Sequence, residues 1–85
     1  MTSAELPHNL DAERDTLGSI LLNRDAIVEV APWLTPNMFY SHKHADIYAV
    51  MLHLFGQRTP PDTRTVSDEL KRRGQLDSVG GIIGM

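Results

Sequence analysis

Apolar positions recur along this chain at intervals of three and four residues, the spacing that places them on one side of an α-helix. Leu10, Leu17, Ile20 and Leu21 share a face and predict a first helix from about Leu10 to Leu22. Asn9 is its expected N-cap, and Asp11 and Glu13 put negative charge in the first turn, where the helix dipole favours it. A second helix starts near Asp25, with Ile27, Val30, Ala31 and Leu34 in register. Pro32 removes a backbone donor, so this helix is expected to stop near Ala31 or to kink and continue to Leu34. The longest stripe is His44, Ile47, Tyr48, Met51, Leu54 and Phe55, preceded by Ser41 as N-cap and followed by Gly56 as terminator. Pro60 and Pro61 then force a loop. A fourth helix runs from about Thr63 to Arg73, with Asp62 as N-cap, Gly74 at C′ and Val66 and Leu70 facing inward. Arg64–Asp68, Asp68–Arg72 and Glu69–Arg73 are opposite charges four apart on its surface. Leu76, Val79, Ile82 and Ile83 open a fifth, shorter pattern.

No segment alternates with period two, so the expected fold is all-α: a small, compact, orthogonal bundle of four to five short helices. Residues 1–8 read as an N-terminal arm and residues 9–85 as one helical domain. The expected core is Leu17, Ile20, Leu21, Ile27, Val30 and Phe39, with His44, Ile47, Tyr48, Met51 and Leu54 from the third helix. Val66, Leu70 and Leu76 complete it.

Composition narrows the function classes. Eighty-five residues suffice for one domain and bury only ~60–65% of the unfolded surface. Apolar residues make up 41% and charged residues 22%, a globular balance rather than a disordered one. With 11 acids against 8 bases the net charge is −3, which lacks the basic excess of a dedicated nucleic-acid binder. The absence of cysteine excludes a disulfide scaffold or a thiolate zinc site. Met1 to Pro7 lacks the apolar core of a signal peptide, and no run approaches the ~20 apolar residues of a membrane span. A cytoplasmic protein without membrane association is expected.

Candidate chemistry is sparse. His42 and His44 are two apart on a helix and diverge, and His53 lies off both faces, so no metal site is expected. Gly80, Gly81 and Gly84 lack the Gly-Lys-Ser/Thr ending that cradles phosphates, so no ATP hydrolysis is expected. Ser41, Ser67 and Ser78 have no base and acid arranged beside them. No catalytic, cofactor-binding or metal-ligating residue is therefore assigned. Lys71, Arg72 and Arg73 form the one basic run, at a helix C-terminus where the dipole favours cations. Trp33, Met38, Phe39 and Tyr40 cluster after the second helix, with Trp33 the expected exposed member. The candidate partner contacts are Asp11, Glu13, Trp33, Arg72 and Arg73.

Several segments in order resemble the N-terminal domain of DnaB-type replicative DNA helicases. They are Leu6-Pro7-His8-Asn9 before Ala12-Glu13, Leu17-Gly18-Ser19-Ile20-Leu21-Leu22, Met38-Phe39-Tyr40, and His44 with Ile47-Tyr48. Pro61-Asp62 with Thr65-Val66 and Leu70 follows, and then Gly74 to Gly81. The resemblance implies a compact helical head that precedes a helical hairpin in proteins that form hexameric rings and unwind duplex DNA with ATP. It also implies that the hairpins pair helicase subunits and that the N-terminal tier docks primase and helicase loaders. The ATP and magnesium sites belong to a separate motor domain, so no cofactor is expected in this chain and DNA is met only indirectly. The chain departs from the pattern at Gly84, where the family carries an aromatic residue, and at Ala45, where it often carries a base. The domain is expected to stop before the dimerisation hairpin, leaving a monomer or weak dimer. The resulting expectation is a non-enzymatic interaction head of a replicative helicase. The alternatives are a stand-alone adapter, or a small DNA-binding helical domain using Arg64, Lys71, Arg72 and Arg73.

Overall fold

The computed structural model describes residues 10–76. Four α-helices follow in chain order: α1 (Leu10–Leu22), α2 (Asp25–Val30), α3 (His42–Gly56) and α4 (Thr63–Arg72). A single 3-10 turn, Pro36–Met38, lies between α2 and α3. Among the described residues there is no strand, and the architecture is the expected all-α bundle. Asn9, the arm before it and the segment after Leu76 lie outside the described residues.

The architecture is centred on α3, which packs against α1, α4 and the 3-10 turn, while α2 packs on α1. His44, Ile47, Tyr48, Val50, Met51 and Leu54 are all buried on α3. They cover an arc of roughly 160° at 100° per residue, wider than the stripe of a helix with one neighbour. Leu17 and Ile20 of α1, Ile27 of α2, and Val66 and Leu70 of α4 close on it. Leu21, Val30, Phe39 and Leu76 pack against this core but remain half-buried. Phe39 stacks at a tilt on Tyr48, with ring centroids 5.2 Å apart. The buried Tyr48 hydroxyl donates to the Leu34 carbonyl at 2.9 Å, so the largest core side chain carries no unmet polar group.

Local sequence sets the helix ends. Asn23 turns the chain between α1 and α2, its side-chain oxygen accepting from Asp25 N–H at 3.0 Å. α2 stops at Val30 as Pro32 requires, and Ala31, Trp33 and Leu34 close the end onto the carbonyls of Ile27 and Val30. Ser41 caps α3 by accepting from His44 N–H. Asp62 caps α4 in a reciprocal box with Thr65, each side chain accepting from the other's backbone N–H. Gly74 takes a positive φ of 74°, with Gln75 N–H bonded to Leu70 O and Gly74 N–H to Lys71 O, a Schellman end.

Three sequence expectations need correction. Helix α3 ends at Gly56, yet the left-handed residue of its Schellman end is Arg58, at φ 62°, with Thr59 N–H on Leu54 O and Arg58 N–H on Phe55 O. Phe55, expected in the stripe, is 39% exposed, because the helix end has run past its neighbours. Leu10, at the outer end of α1, is 44% exposed for the same reason.

Met51→Ala is expected to destabilise the domain by ~2–5 kcal/mol, since it empties a fully buried position at the centre of α3. Leu54→Ala should fall in the same range. Gly74→Ala introduces a Cβ into a left-handed conformation and should cost about 1 kcal/mol, a loss of roughly 4–8 °C in melting temperature. Thermal unfolding followed by circular dichroism measures all three, and an unchanged midpoint for Met51→Ala would refute the inward assignment of α3.

Candidate functional site

Glu13, placed by sequence in the dipole-favoured first turn of α1, turns its carboxylate inward. Oε2 accepts from Tyr40 N–H at 2.6 Å, and Oε1 accepts from Ser41 N–H at 3.4 Å. Oε1 also lies 2.8 Å from Nδ1 of His44. These partners stand 27, 28 and 31 residues away in sequence, so one side chain ties α1 to the start of α3. Only 12% of the Glu13 side chain and 5% of the His44 side chain are exposed. Burial pushes the Glu13 carboxyl upward, but the hydrogen bonds from His44, Tyr40 and Ser41 outweigh it and hold it below the usual carboxylate range. His44 therefore belongs to the core, as its place in the stripe implies, with a polar partner that the stripe does not reveal.

That tie positions a surface. The Tyr40 end of the 3-10 connection is drawn onto α1, and an apolar cleft of about 340 Å³ opens between them. Ala12 and Thr16 of α1 form one wall, Trp33 and Leu34 the other, and Met38 and Phe39 the end. Trp33 is 60% exposed and Met38 56%, as large an apolar display as this domain makes on one connection. The Trp33 indole N–H donates to the Glu29 carbonyl at 3.0 Å, which fixes the ring against the end of α2 rather than leaving it free to rotate. Asp11 is exposed in the first turn of α1.

Arg72 and Arg73 sit at the far end of α4, and Arg72 faces a different partner from the one its spacing suggests. Arg72 passes over Asp68 and binds Glu69 bidentately, at 3.0 and 2.6 Å. Arg73 adds a third bond to Glu69 at 2.8 Å, the expected i, i+4 pair. His53 of α3 approaches the same carboxylate at 3.9 Å and is half-buried. The hydrogen bonds from Arg72 and Arg73 hold the Glu69 carboxyl down at about 2. Glu69 and Ser67 are buried, and sequence gave no sign of either, because α4 reads as polar everywhere outside Val66 and Leu70. Val50 is likewise buried at the edge of the α3 stripe.

Among the described residues no group of three or more His, Cys, Asp or Glu converges on a point where a metal ion would sit. His42 is exposed and points away from His44. No helix there is long and apolar enough to cross a membrane.

Residues 5–84 match the family described as the DnaB-like helicase N terminal domain. Among curated relatives, the replicative DNA helicase DnaB of Mycobacterium leprae is 43% identical over 75 residues, covering 88% of this chain and 12% of that protein. DnaB of Leifsonia xyli is 40% identical over 75 residues, 88% of this chain and 16% of the relative. The chain thus spans less than a fifth of the length of these relatives. The crystal structure of the N-terminal domain of DnaB helicase from Mycobacterium tuberculosis superposes with a TM-score of 0.83 at 43% identity, covering 89% of this chain and 53% of the other.

Two measurements test the internal roles of these acids. Glu13→Ala should cost about 1–3 kcal/mol because it removes the acceptor from the buried His44 and the half-buried Ser41 N–H, whereas Asp11→Ala on the exposed face should stay within about 0.5 kcal/mol. Equal effects in urea unfolding would refute the tie. Glu13 and Glu69 both have lowered values, so each contributes stability that is complete above the ordinary carboxylate range of ~4.3. That contribution is lost as pH falls, through about 2 for Glu69. The urea midpoint should therefore drop between about pH 5 and pH 2, and Glu69→Gln should flatten part of that drop; an identical pH profile for Glu69→Gln would show that the arginine pairs contribute nothing.

Proposed function

Because the chain belongs to the family of DnaB-like helicase N-terminal domains, we propose that it is the protein-interaction head of a replicative DNA helicase, docking primase or helicase loader and supporting assembly with other helicase subunits. The observation that carries this reading is the exposed Trp33 and Met38 at the mouth of an apolar cleft. Aromatic anchors beside a desolvated pocket are where protein interfaces concentrate their binding energy. The cleft is held open by the Glu13 tie and the Trp33 indole bond, so a partner meets a largely preformed surface. In this reading Glu13 acts from within, by fixing the connection that displays Trp33, and Arg72 and Arg73 lie on a second edge.

ATP hydrolysis and strand separation belong to the motor of the full-length relatives, and the role of this domain is to bring partners to that motor. A direct DNA-binding role draws less support. Two of its four proposed cations, Arg72 and Arg73, are engaged by Glu69, and the net charge is −3.

Calorimetric titration of the chain with the cognate primase's helicase-binding domain, and separately with the cognate loader, tests the proposal. One of the two should bind, and Trp33→Ala should weaken it by roughly tenfold or more, the effect of losing an interface hot spot. Binding to neither partner, or binding unchanged by Trp33→Ala and Met38→Ala, would overturn the reading. Salt-sensitive binding to duplex DNA in their place would favour the DNA-binding alternative.

A further inference from the structure

A second cleft lies away from the Trp33 surface, where the start of α2 meets the loop between α3 and α4. It measures about 370 Å³. Val28, Phe55, Pro60 and Pro61 give it apolar walls, and Val28 and Phe55 are 55% and 39% exposed. Arg24 and Arg58 stand on it from opposite elements, with Asp25 as the one acid in the lining. Arg24 also borders the adjoining groove beside Leu22, which is 91% exposed. Both arginines are exposed, and among the described residues neither guanidinium has an ion-pair partner. The cations at the other end of the molecule, Arg72 and Arg73, are both consumed by Glu69.

Arg58 carries a second signal. It is the one non-glycine residue with a positive φ among the described residues, at 62°, and it occupies the left-handed position that ends α3. The corresponding position of α4 is filled by Gly74, the residue type that meets this conformation without steric conflict. A glycine at position 58 would relieve the backbone in the same way. Strain retained at one position of a loop is characteristic of residues kept for their side chain rather than for the fold.

We propose that this cleft docks an acidic–apolar peptide segment of a partner protein, its apolar side chains seated between Val28, Phe55 and Pro60 and its carboxylates paired with Arg24 and Arg58. Charge complementarity selects this occupant. A planar guanidinium takes a carboxylate through two parallel hydrogen bonds, and two guanidiniums flanking an apolar floor match a segment that alternates acids with large apolar residues. A basic or purely apolar segment leaves both guanidiniums desolvated without partners. The cleft is separate from the Trp33 surface and does not depend on the function proposed for it.

The test is fluorescence anisotropy of the 85-residue chain with a labelled synthetic peptide alternating aspartate with phenylalanine and leucine, beside a twin carrying lysine for aspartate. The acidic peptide should bind and the lysine twin should not, with affinity falling as salt is raised. Arg24→Gln and Arg58→Gln should each weaken binding by roughly tenfold, and Trp33→Ala should leave it unchanged. Arg58→Gly separates binding from folding: it should raise the melting temperature by a few degrees while it weakens the peptide, so a loss of binding there does not reflect unfolding. Equal binding of both peptides, no binding of the acidic one, or Gln variants that bind as the parent chain does would overturn the proposal. A single-stranded oligonucleotide that binds through Arg24 and Arg58 while the acidic peptide does not would overturn it in favour of a nucleic-acid contact.

Discussion

The rest of this domain depends on the burial of α3. One helix of fifteen residues meets α1, α4 and the 3-10 turn, and six of its side chains leave solvent entirely or nearly so. A helix packed on several sides must satisfy its polar atoms from its neighbours, since water no longer reaches them. Tyr48 does so through the Leu34 carbonyl, and His44 through Glu13. The Tyr48 bond to Leu34 and the Tyr40 N–H bond to Glu13 fix the connection between α2 and α3 from both ends. The cleft beside Trp33 is a consequence: the chain is held at Leu34 and at Tyr40, and the residues between them are displayed.

Charge is distributed according to the same logic. The half-buried Glu13 and the buried Glu69 have distinct tasks. Glu13 joins elements distant in sequence, and Glu69 gathers the cations of its own helix and approaches His53 of α3. Both are held in their ionised form by their donors. What remains uncommitted is informative. Trp33 stands on one cleft and Arg24 and Arg58 on another, so the domain presents two chemically different faces, one aromatic and one apolar with a basic rim.

The elements themselves were legible in the residues. Periodicity located α1, α3 and α4, Pro32 stopped α2, and Ser41, Asp62 and Gly74 acted at the helix ends where their side chains or backbone freedom are needed. The ordered segments from Leu6-Pro7 to Gly80-Gly81 carried the resemblance to the helicase family, and the match over residues 5–84 bears it out. These signals survive in one dimension because each depends on residues within about four positions of one another. Exposure of Trp33 was legible for the same reason, since the proline beside it takes the chain out of the apolar stripe.

Tertiary structure decided what depends on neighbours from elsewhere in the chain. Glu13 reads as a first-turn acid on an exposed face, and only the approach of Tyr40, Ser41 and His44 turns its carboxylate inward. Val50 lies at the margin of the α3 stripe and is buried because that helix has more than one neighbour, whereas Phe55 lies within the stripe and is exposed because the helix outruns them. Arg72 chose Glu69 over Asp68 because the Glu69 carboxylate, sheltered against α3, offers a drier site in which a charge-assisted pair is stronger. The left-handed backbone at Arg58 has no glycine to announce it, since Pro60 and Pro61 and the packing of α4 fix where the loop must turn. Local sequence fixes where helices begin and end, through short-range hydrogen bonding and backbone sterics; which polar side chains are spent inside and which are left for partners is settled by the long-range contacts that desolvate some of them and not others.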